Sequence, residues 1–374
     1  MNMIMPEKVA ENFIRQTEYI DRVDEYGQGN IHDTYLVRLN GQGDGFILQR
    51  ININVFKRPD LIMHNLRLIC EHVHDLEKLA ERRIDSSWKM LHIIQTRDNE
   101  DFFIDPEGGF WRALTFIHGA RPLEKIASLD DAREAGRALG IFHHQTIDFN
   151  PAYLQDTLPG FHNIELYISQ YDQILPHKIS RESSKAEKFL RQFIQDRRNW
   201  APVLENGRNQ NKLQERIIHG DPKINNVMLD NRTGKAVSII DLDTVKQGLL
   251  LYDIGDCLRS CCNIPGEEIE DFHAVQFDPG RCEAVLSGYM AAAHECLTAQ
   301  DFNFFFDAIR LIPFELGLRF YSDYLGGNFY FKTSYPTHNL DRASVQFRLV
   351  ESIELQEDRI RAIIENFRQG YEKV

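Results

Sequence analysis

His219-Gly-Asp-Pro-Lys-Ile-Asn-Asn226, followed downstream by Ile239-Ile-Asp241-Leu-Asp243, is the stretch of this 374-residue chain whose reading decides the rest. Asp221, Lys223 and Asn226 share one loop, and Asp241 closes a strand-like run, Lys235-Ala-Val-Ser-Ile-Ile240. Two acids and an amide on adjacent loops suit phosphoryl transfer, in which the moving group is loosely bonded and highly charged and catalysis is mainly positioning and charge neutralisation. Hard oxygen ligands such as Asn226 and Asp241 match Mg²⁺, which keeps several waters and bridges phosphates. Asp221 is then the group that orients or deprotonates the attacking hydroxyl. His219 reads as a scaffold histidine bonded to backbone, and Asp253 and Asp256 in Tyr252-Asp-Ile-Gly-Asp256 as acids that brace the loop by accepting N–H groups.

Upstream of that loop the texture changes near residue 115. Val9, Phe13 and Ile20, with Ala10 and Ile14, recur at helical spacing and predict an amphipathic N-terminal helix. Thr34-Tyr-Leu-Val-Arg38 and Phe46-Ile-Leu-Gln-Arg50, joined through Asn40-Gly-Gln-Gly-Asp44, predict a hairpin. Pro59 opens a helix carrying Leu61, Ile62, Leu66, Ile69, Val73 and Leu76, and strands follow over 90–95, 101–104 and 111–117. Beyond residue 129 helices dominate, starting from Ser128 as N-cap. The exception is a two-strand island, Arg216-Ile-Ile-His219 with 235–240, that presents the loop residues. Phe302-Asn-Phe-Phe-Phe306 reads as core, His143-His144 as a structural helix end, and 351–361 as one amphipathic helix.

Composition narrows the partners. Lys plus Arg is 43 against Asp plus Glu at 56, a formal net charge of −13. Such an acidic surface repels phosphate backbones and anionic lipid, so neither nucleic acid nor a membrane is expected as a partner. Residues 1–10 lack the apolar core of a signal peptide, and no window approaches the ~18 apolar residues of a spanning helix, which points to a cytoplasmic protein. Cys70, Cys257, Cys261, Cys262, Cys282 and Cys296 fit neither a disulfide framework nor paired zinc spacing and read as buried thiols.

The spacing His-x-Asp-x-Lys-x-x-Asn reproduces the protein-kinase catalytic loop, with Ile-Asp-Leu in place of Asp-Phe-Gly. The pair of motifs resembles the aminoglycoside phosphotransferase and choline kinase superfamily. Further stretches are similar to the bacterial N-acetylhexosamine 1-kinases: Tyr26-Gly-Gln-Gly-Asn-Ile-His-Asp-Thr-Tyr-Leu-Val37, Phe46-Ile-Leu-Gln-Arg-Ile-Asn52, Ile240-Asp-Leu-Asp-Thr244 and Leu318-Arg-Phe-Tyr-Ser-Asp-Tyr-Leu-Gly-Gly-Asn-Phe-Tyr-Phe-Lys-Thr-Ser-Tyr-Pro-Thr-His-Asn339. The similarity runs from about residue 20 to about 365.

The resemblance implies an α+β, bilobal, protein-kinase-like fold. It places a small β-sheet N-lobe with the glycine turn and ATP site over 1–115, and a larger, mainly helical C-lobe with the catalytic loop, metal site and sugar-binding helices over 116–374. It implies transfer from ATP with Mg²⁺ to the anomeric hydroxyl of N-acetylglucosamine or N-acetylgalactosamine. Asp221 matches the base, Asn226 and Asp241 the metal ligands, and Lys223 the residue that approaches the γ-phosphate. Arg319 and Tyr330 match sugar-holding positions, with Asp323 beside them. Adenine is expected against the connector at Phe116 and Ile117.

Two departures stand out. Gly27-x-Gly29-x-x-His32 lacks a third glycine, leaving Gly29 and Asn30 to cradle phosphate. The usual strand lysine is absent, so Arg50, or else Gln49, is expected on the phosphates, with Glu71 or Glu77 as its helix partner. Other acceptors of the superfamily (choline, ethanolamine, homoserine, an aminoglycoside), a non-catalytic ATP-binding sensor and a metal-dependent phosphatase are the competing readings.

Overall fold

The computed structural model describes residues 5–15, 17–27, 31–40, 45–79, 87–177, 184–269 and 271–371. Its N-terminal part is an antiparallel sheet: β1 (Ile20–Glu25), β2 (Asp33–Leu39), β3 (Phe46–Ile51), β4 (Ile93–Ile94), β5 (Phe103–Ile104) and β6 (Phe110–Thr115). The order is β1-β2-β3-β6-β4, with β5 also on β6. Two helices flank it, α1 (Pro6–Ala10) and α2 (Pro59–Leu79).

The register decides which side chains can reach the site. β3 and β6 pair Leu48 with Ala113, Gln49 with Arg112 and Arg50 with Trp111, and successive strand residues face opposite ways. Phe46, Leu48, Trp111 and Ala113 therefore pack outward against Val9, Ala10, Phe13 and Ile14. Ile51, Phe110 and Leu114 face the other way and join α2 residues Ile62, Met63, Leu66, Ile69 and Val73 in the main core.

The C-terminal part comprises β7 (Ala120–Pro122), α3 (Leu129–Gln145), α4 (Ile164–Ile174), α5 (Lys185–Arg197), α6 (Val203–Asn209), β8 (Glu215–Ile218), β9 (Val227–Asp230), β10 (Ala236–Ile239), β11 (Lys246–Leu249), α7 (Leu250–Cys262), α8 (Pro279–Ala293), α9 (Phe305–Gly326), α10 (His338–Glu354) and α11 (Glu357–Tyr371). α3 starts where the sequence places it, on a capping box in which Ser128 and Asp131 exchange side-chain and backbone bonds. It packs so closely on α8 that a Cβ on Gly136 would lie 1.9 Å from the Val285 carbonyl oxygen. All six cysteines are buried free thiols. Among the described residues no helix is long and apolar enough to cross a membrane.

Several expectations need correction. The N-terminal helix does not reach Ile20: Ile14 turns extended after a short 3₁₀ segment, Glu11–Phe13, and Ile20 opens β1. β1 itself is hidden by its charged composition, since this edge strand has no buried face to enforce alternation. The two-strand island is two sheets, because β8 pairs with β11 while β10 pairs with β9, and β9 with β7. The helix expected over 351–361 is broken between α10 and α11, where Leu355 is 87% exposed.

Candidate active site

The catalytic loop hangs from β8 and is fixed by backbone bonds. Asp253, in the first turn of α7, accepts the His219 N–H at 2.6 Å and the Gly220 N–H at 2.8 Å, with His143 Nε2 also 2.8 Å away. Burial pushes the Asp253 carboxyl up, but the His143 contact and the backbone donors outweigh it and hold the group below the usual carboxylate range. His219 Nδ1 accepts the Asp221 N–H at 3.3 Å and Nε2 lies 3.0 Å from the Ile240 carbonyl oxygen, a scaffold role that ties the loop to the end of β10. Gly220 has φ +87° and a Cβ there would meet Thr244 at 2.8 Å, so only glycine fits. Asp256 departs from the bracing role. It pairs with Arg259 Nε at 2.7 Å, its Oδ2 is buried without a partner among the described residues, and burial together with the charge of Asp221 pushes its carboxyl up despite Arg259.

From this platform the four motif residues converge. Lys223 Nζ pairs with Asp221 Oδ2. Burial lowers the lysine's pKa, but Asp221 and Asp241 more than reverse that, so it stays charged. The Asn226 side-chain nitrogen donates to the Asp221 carbonyl at 2.7 Å, and Ile240 N–H donates to the Asn226 carbonyl at 2.8 Å. With its nitrogen engaged, the Asn226 amide has Oδ1 as the atom that could hold a cation. Asp241 sits in the left-handed region, φ +66° and ψ +60°, a conformation Asp tolerates better than most residues. Burial raises its carboxyl pKa, and the charges of Asp243 and Asp221 raise it further against the opposing Lys223 and His32. Such a surplus of carboxylate charge fits a divalent cation.

The opposite wall differs from expectation. Arg50 does not reach it: it lies on the outer face of β3, over the Trp111 ring at 5.7 Å and beside Asp105. Gln49 faces inward, and its Oε1 accepts from Arg112 Nε at 3.0 Å and Nη2 at 2.8 Å while its amide donates to Thr34 Oγ1. Arg112, 1% exposed, supplies the positive charge and crosses to Asp243 at 2.7 Å. His32 Nε2 lies 2.8 Å from the other Asp243 oxygen and its Nδ1 accepts the Asn52 N–H at 3.0 Å. Burial raises the Asp243 carboxyl, but the Arg112 guanidinium and His32 hold it far below the usual range.

A lone arginine at the middle of the inward positions 110, 112 and 114 was the signal that could have found Arg112. Glu71 pairs instead with Arg67 on its own helix at 3.3 Å, and the side chain of Glu77 lies outside what is described. Gly27 has φ +75°, whereas Gly29 and Asn30 fall outside the described residues. On the connector, Phe116 meets Tyr26 edge-on at 5.8 Å and Ile117 is buried in the main core.

On α9, Arg319 is surrounded by rings: Phe161 at 4.9 Å, Tyr167 at 5.3 Å, Phe331 at 5.4 Å and Tyr330 at 5.6 Å, with the Tyr330 hydroxyl 3.5 Å from Nη2. Burial lowers the guanidinium pKa, but Tyr167, Tyr330, Glu315 and Asp221 reverse this, which places Arg319 within the field of the loop acid. Asp323 does something else. Its oxygens accept the N–H groups of Phe329, Tyr330 and Phe331 at 2.9–3.0 Å and the Asn339 amide at 2.9 Å, so it shapes the loop that carries Tyr330.

Comparison with known proteins agrees with this arrangement. Among the solved structures that share the fold at low identity are the following three. An aminoglycoside phosphotransferase from Alicyclobacillus acidocaldarius matches with TM-score 0.63 at 13% identity, over 100% of this chain and 98% of that one. A choline kinase from Cryptosporidium parvum matches with TM-score 0.56 at 12% identity, over 93% of each chain. A spectinomycin phosphotransferase, solved with ADP and spectinomycin, matches with TM-score 0.51 at 13% identity, over 90% and 93%. The family model described as the phosphotransferase enzyme family (APH) covers residues 22–285, most of the sheet and the whole catalytic loop. A match of that extent, on a kinase-like fold with the loop acids in place, makes the chain a member of the phosphotransferase enzyme family, a small-molecule phosphotransferase of the kinase type.

Proposed function

We propose that the chain transfers the γ-phosphoryl group of ATP to the anomeric hydroxyl of an N-acetylhexosamine, N-acetylglucosamine or N-acetylgalactosamine, giving the α-1-phosphate. The observation that carries this acceptor is Arg319 in its ring of four aromatics, within the field of Asp221. A choline head group or a polycationic aminoglycoside binds by cation–π contact and acidic pairing, but here a fixed guanidinium already occupies the rings. A neutral sugar bearing hydroxyls and an amide carbonyl suits a donor of that kind.

In this reading residues 1–115 hold ATP and 116–374 hold the metal and acceptor. Mg²⁺, when bound to Asn226 and Asp241, neutralises phosphate oxygens. Among the described residues no three or more His, Cys, Asp or Glu side chains are gathered as a metal cage, in keeping with a cation that completes its shell with phosphate and water. Lys223 holds Asp221 Oδ2 and offers positive charge to the transferred group, while the other Asp221 oxygen takes the proton of the acceptor hydroxyl as the new O–P bond forms and the bond to the ADP oxygen breaks. An anomeric hydroxyl is more acidic than an ordinary alcohol, so a carboxylate of modest basicity suffices.

The test is ADP release from ATP and Mg²⁺ with N-acetylglucosamine, N-acetylgalactosamine, choline, homoserine and kanamycin in parallel. Release stimulated by the N-acetylhexosamines supports the reading. Release stimulated by a cationic acceptor instead removes it, and no stimulation by any acceptor favours the non-catalytic alternative.

A further inference from the structure

Behind the catalytic loop lies a buried histidine that the reaction as described does not use. His162 precedes α4 in the left-handed region, φ +62°, and is 7% exposed. That backbone conformation costs about 1–3 kcal/mol for a non-glycine residue, and it turns the imidazole inward between the Phe161 and Tyr252 rings, the latter parallel at 5.0 Å. Its Nδ1 lies 3.0 Å from Glu315 Oε1 and its Nε2 lies 2.9 Å from the carbonyl oxygen of Gly220, the residue immediately before Asp221.

Both partners of the ring are oxygen acceptors, so the two contacts need two protons between them. Either the ring carries both and Glu315 is ionised, or the ring carries one and Glu315 the other. The surroundings favour the first arrangement. Glu315 and Arg319 approach from α9, Asp256 and Tyr252 from α7, Asp221 from the loop, and Glu205 of α6 through the Tyr252 hydroxyl at 2.8 Å. Lys223 offsets Asp221, Arg259 offsets Asp256, and Lys246 Nζ donates to the neighbouring Phe161 carbonyl, so Glu315 is the carboxylate in direct contact with the ring. Burial pushes the imidazole pKa down, but Glu315 and the Gly220 carbonyl outweigh it and the net shift is upward.

We propose that His162, held as an imidazolium by Glu315, is a positioning residue for the base: its Nε2–H fixes the Gly220 carbonyl and thereby the peptide from which the Asp221 carboxylate projects. Gly220 is then clamped at both ends, its N–H by Asp253 and its C=O by His162. Glu315 also stands four residues before Arg319, so one face of α9 orders the base through His162 and presents Arg319 to the acceptor. This rests on Asp221 acting as base, the reading proposed above.

The direct test needs no substrate. ¹⁵N-histidine-labelled full-length protein is examined by NMR at pH 7.5, the His162 signals being assigned by their loss in H162Q or, should that variant not fold, by their change in E315Q. Two protonated ring nitrogens in the wild type, reverting to one in E315Q, are expected; one unprotonated nitrogen in the wild type overturns the proposal. For turnover, E315Q is expected to lose about 100-fold in kcat, the scale of an ~1 Å misplacement, with KM for ATP unchanged. H162Q, which keeps one donor for the Gly220 carbonyl, retains more activity than H162A. A wild-type kcat in E315Q, or equal losses in H162Q and H162A at equal Tm, also overturns it. If no hexosamine turns over, the NMR result stands by itself.

Discussion

On one side of the cleft Asp221, Lys223 and Asn226 share a single loop, with Asp241 just beyond β10; on the other side the positive charge comes from Arg112 in β6, oriented by Gln49 in β3 and joined to Asp243. The loop side is locked by bonds to backbone groups, through Asp253 of α7 and through His219 and Asn226 to Ile240 at the end of β10. The sheet side is locked by alternation, where a shift of one residue sends a side chain to the opposite face. Function on the loop side is therefore tied to residue spacing. On the sheet side a charge can be supplied from a neighbouring strand, provided it points inward.

The two sides are expected to fail differently. The largest effect belongs to the loop: Asp221→Asn lowers kcat by about a thousandfold, within the range for a lost general base, while nucleotide affinity measured by titration is kept. Intact turnover with lost nucleotide binding would remove the distinction between the sides. Next comes the sheet. Arg112→Met takes the guanidinium away from buried Asp243, leaving the carboxylate to His32 alone, and destabilises the protein by about 3 kcal/mol in urea unfolding. Arg50→Met, on the outer face, costs less than about 1 kcal/mol and leaves KM for ATP unchanged. Equal losses for the two arginines would break the alternation argument.

Arg319→Ala is expected to raise the acceptor KM about 10- to 100-fold by removing charged hydrogen bonds, each worth about 1.5–3 kcal/mol, with KM for ATP unaltered. The smallest effect concerns pH. The Asp253 carboxyl is held below its unfolded value, so its contribution is present above the unfolded pKa of about 3.9 and is lost as pH falls toward the folded pKa. The Tm of the wild type should drop more steeply between about pH 5 and pH 3 than that of Asp253→Asn, which starts lower. A parallel decline would show that Asp253 titrates alike in both states.

The same contrast explains what the sequence made readable. Asp221, Lys223, Asn226 and Asp241 could be placed together because their spacing is local, and α2 and α3 because Pro59 and Ser128 announce them. Arg50 was preferred over Gln49 by charge alone, whereas the register of β3 with β6 exists only once distant segments pair. β9 and β11 have four residues each, too few to display a period. The partnership of His162 with Glu315 joins residues that only the packing of α9 brings together.

The position of the phosphate on the product tests the central claim most directly. With ATP, Mg²⁺ and N-acetylglucosamine, the account predicts a product whose phosphorus signal is split by the anomeric proton with the small coupling of an α-1-phosphate. Splitting by the two C6 protons, the mark of a 6-phosphate, would contradict it.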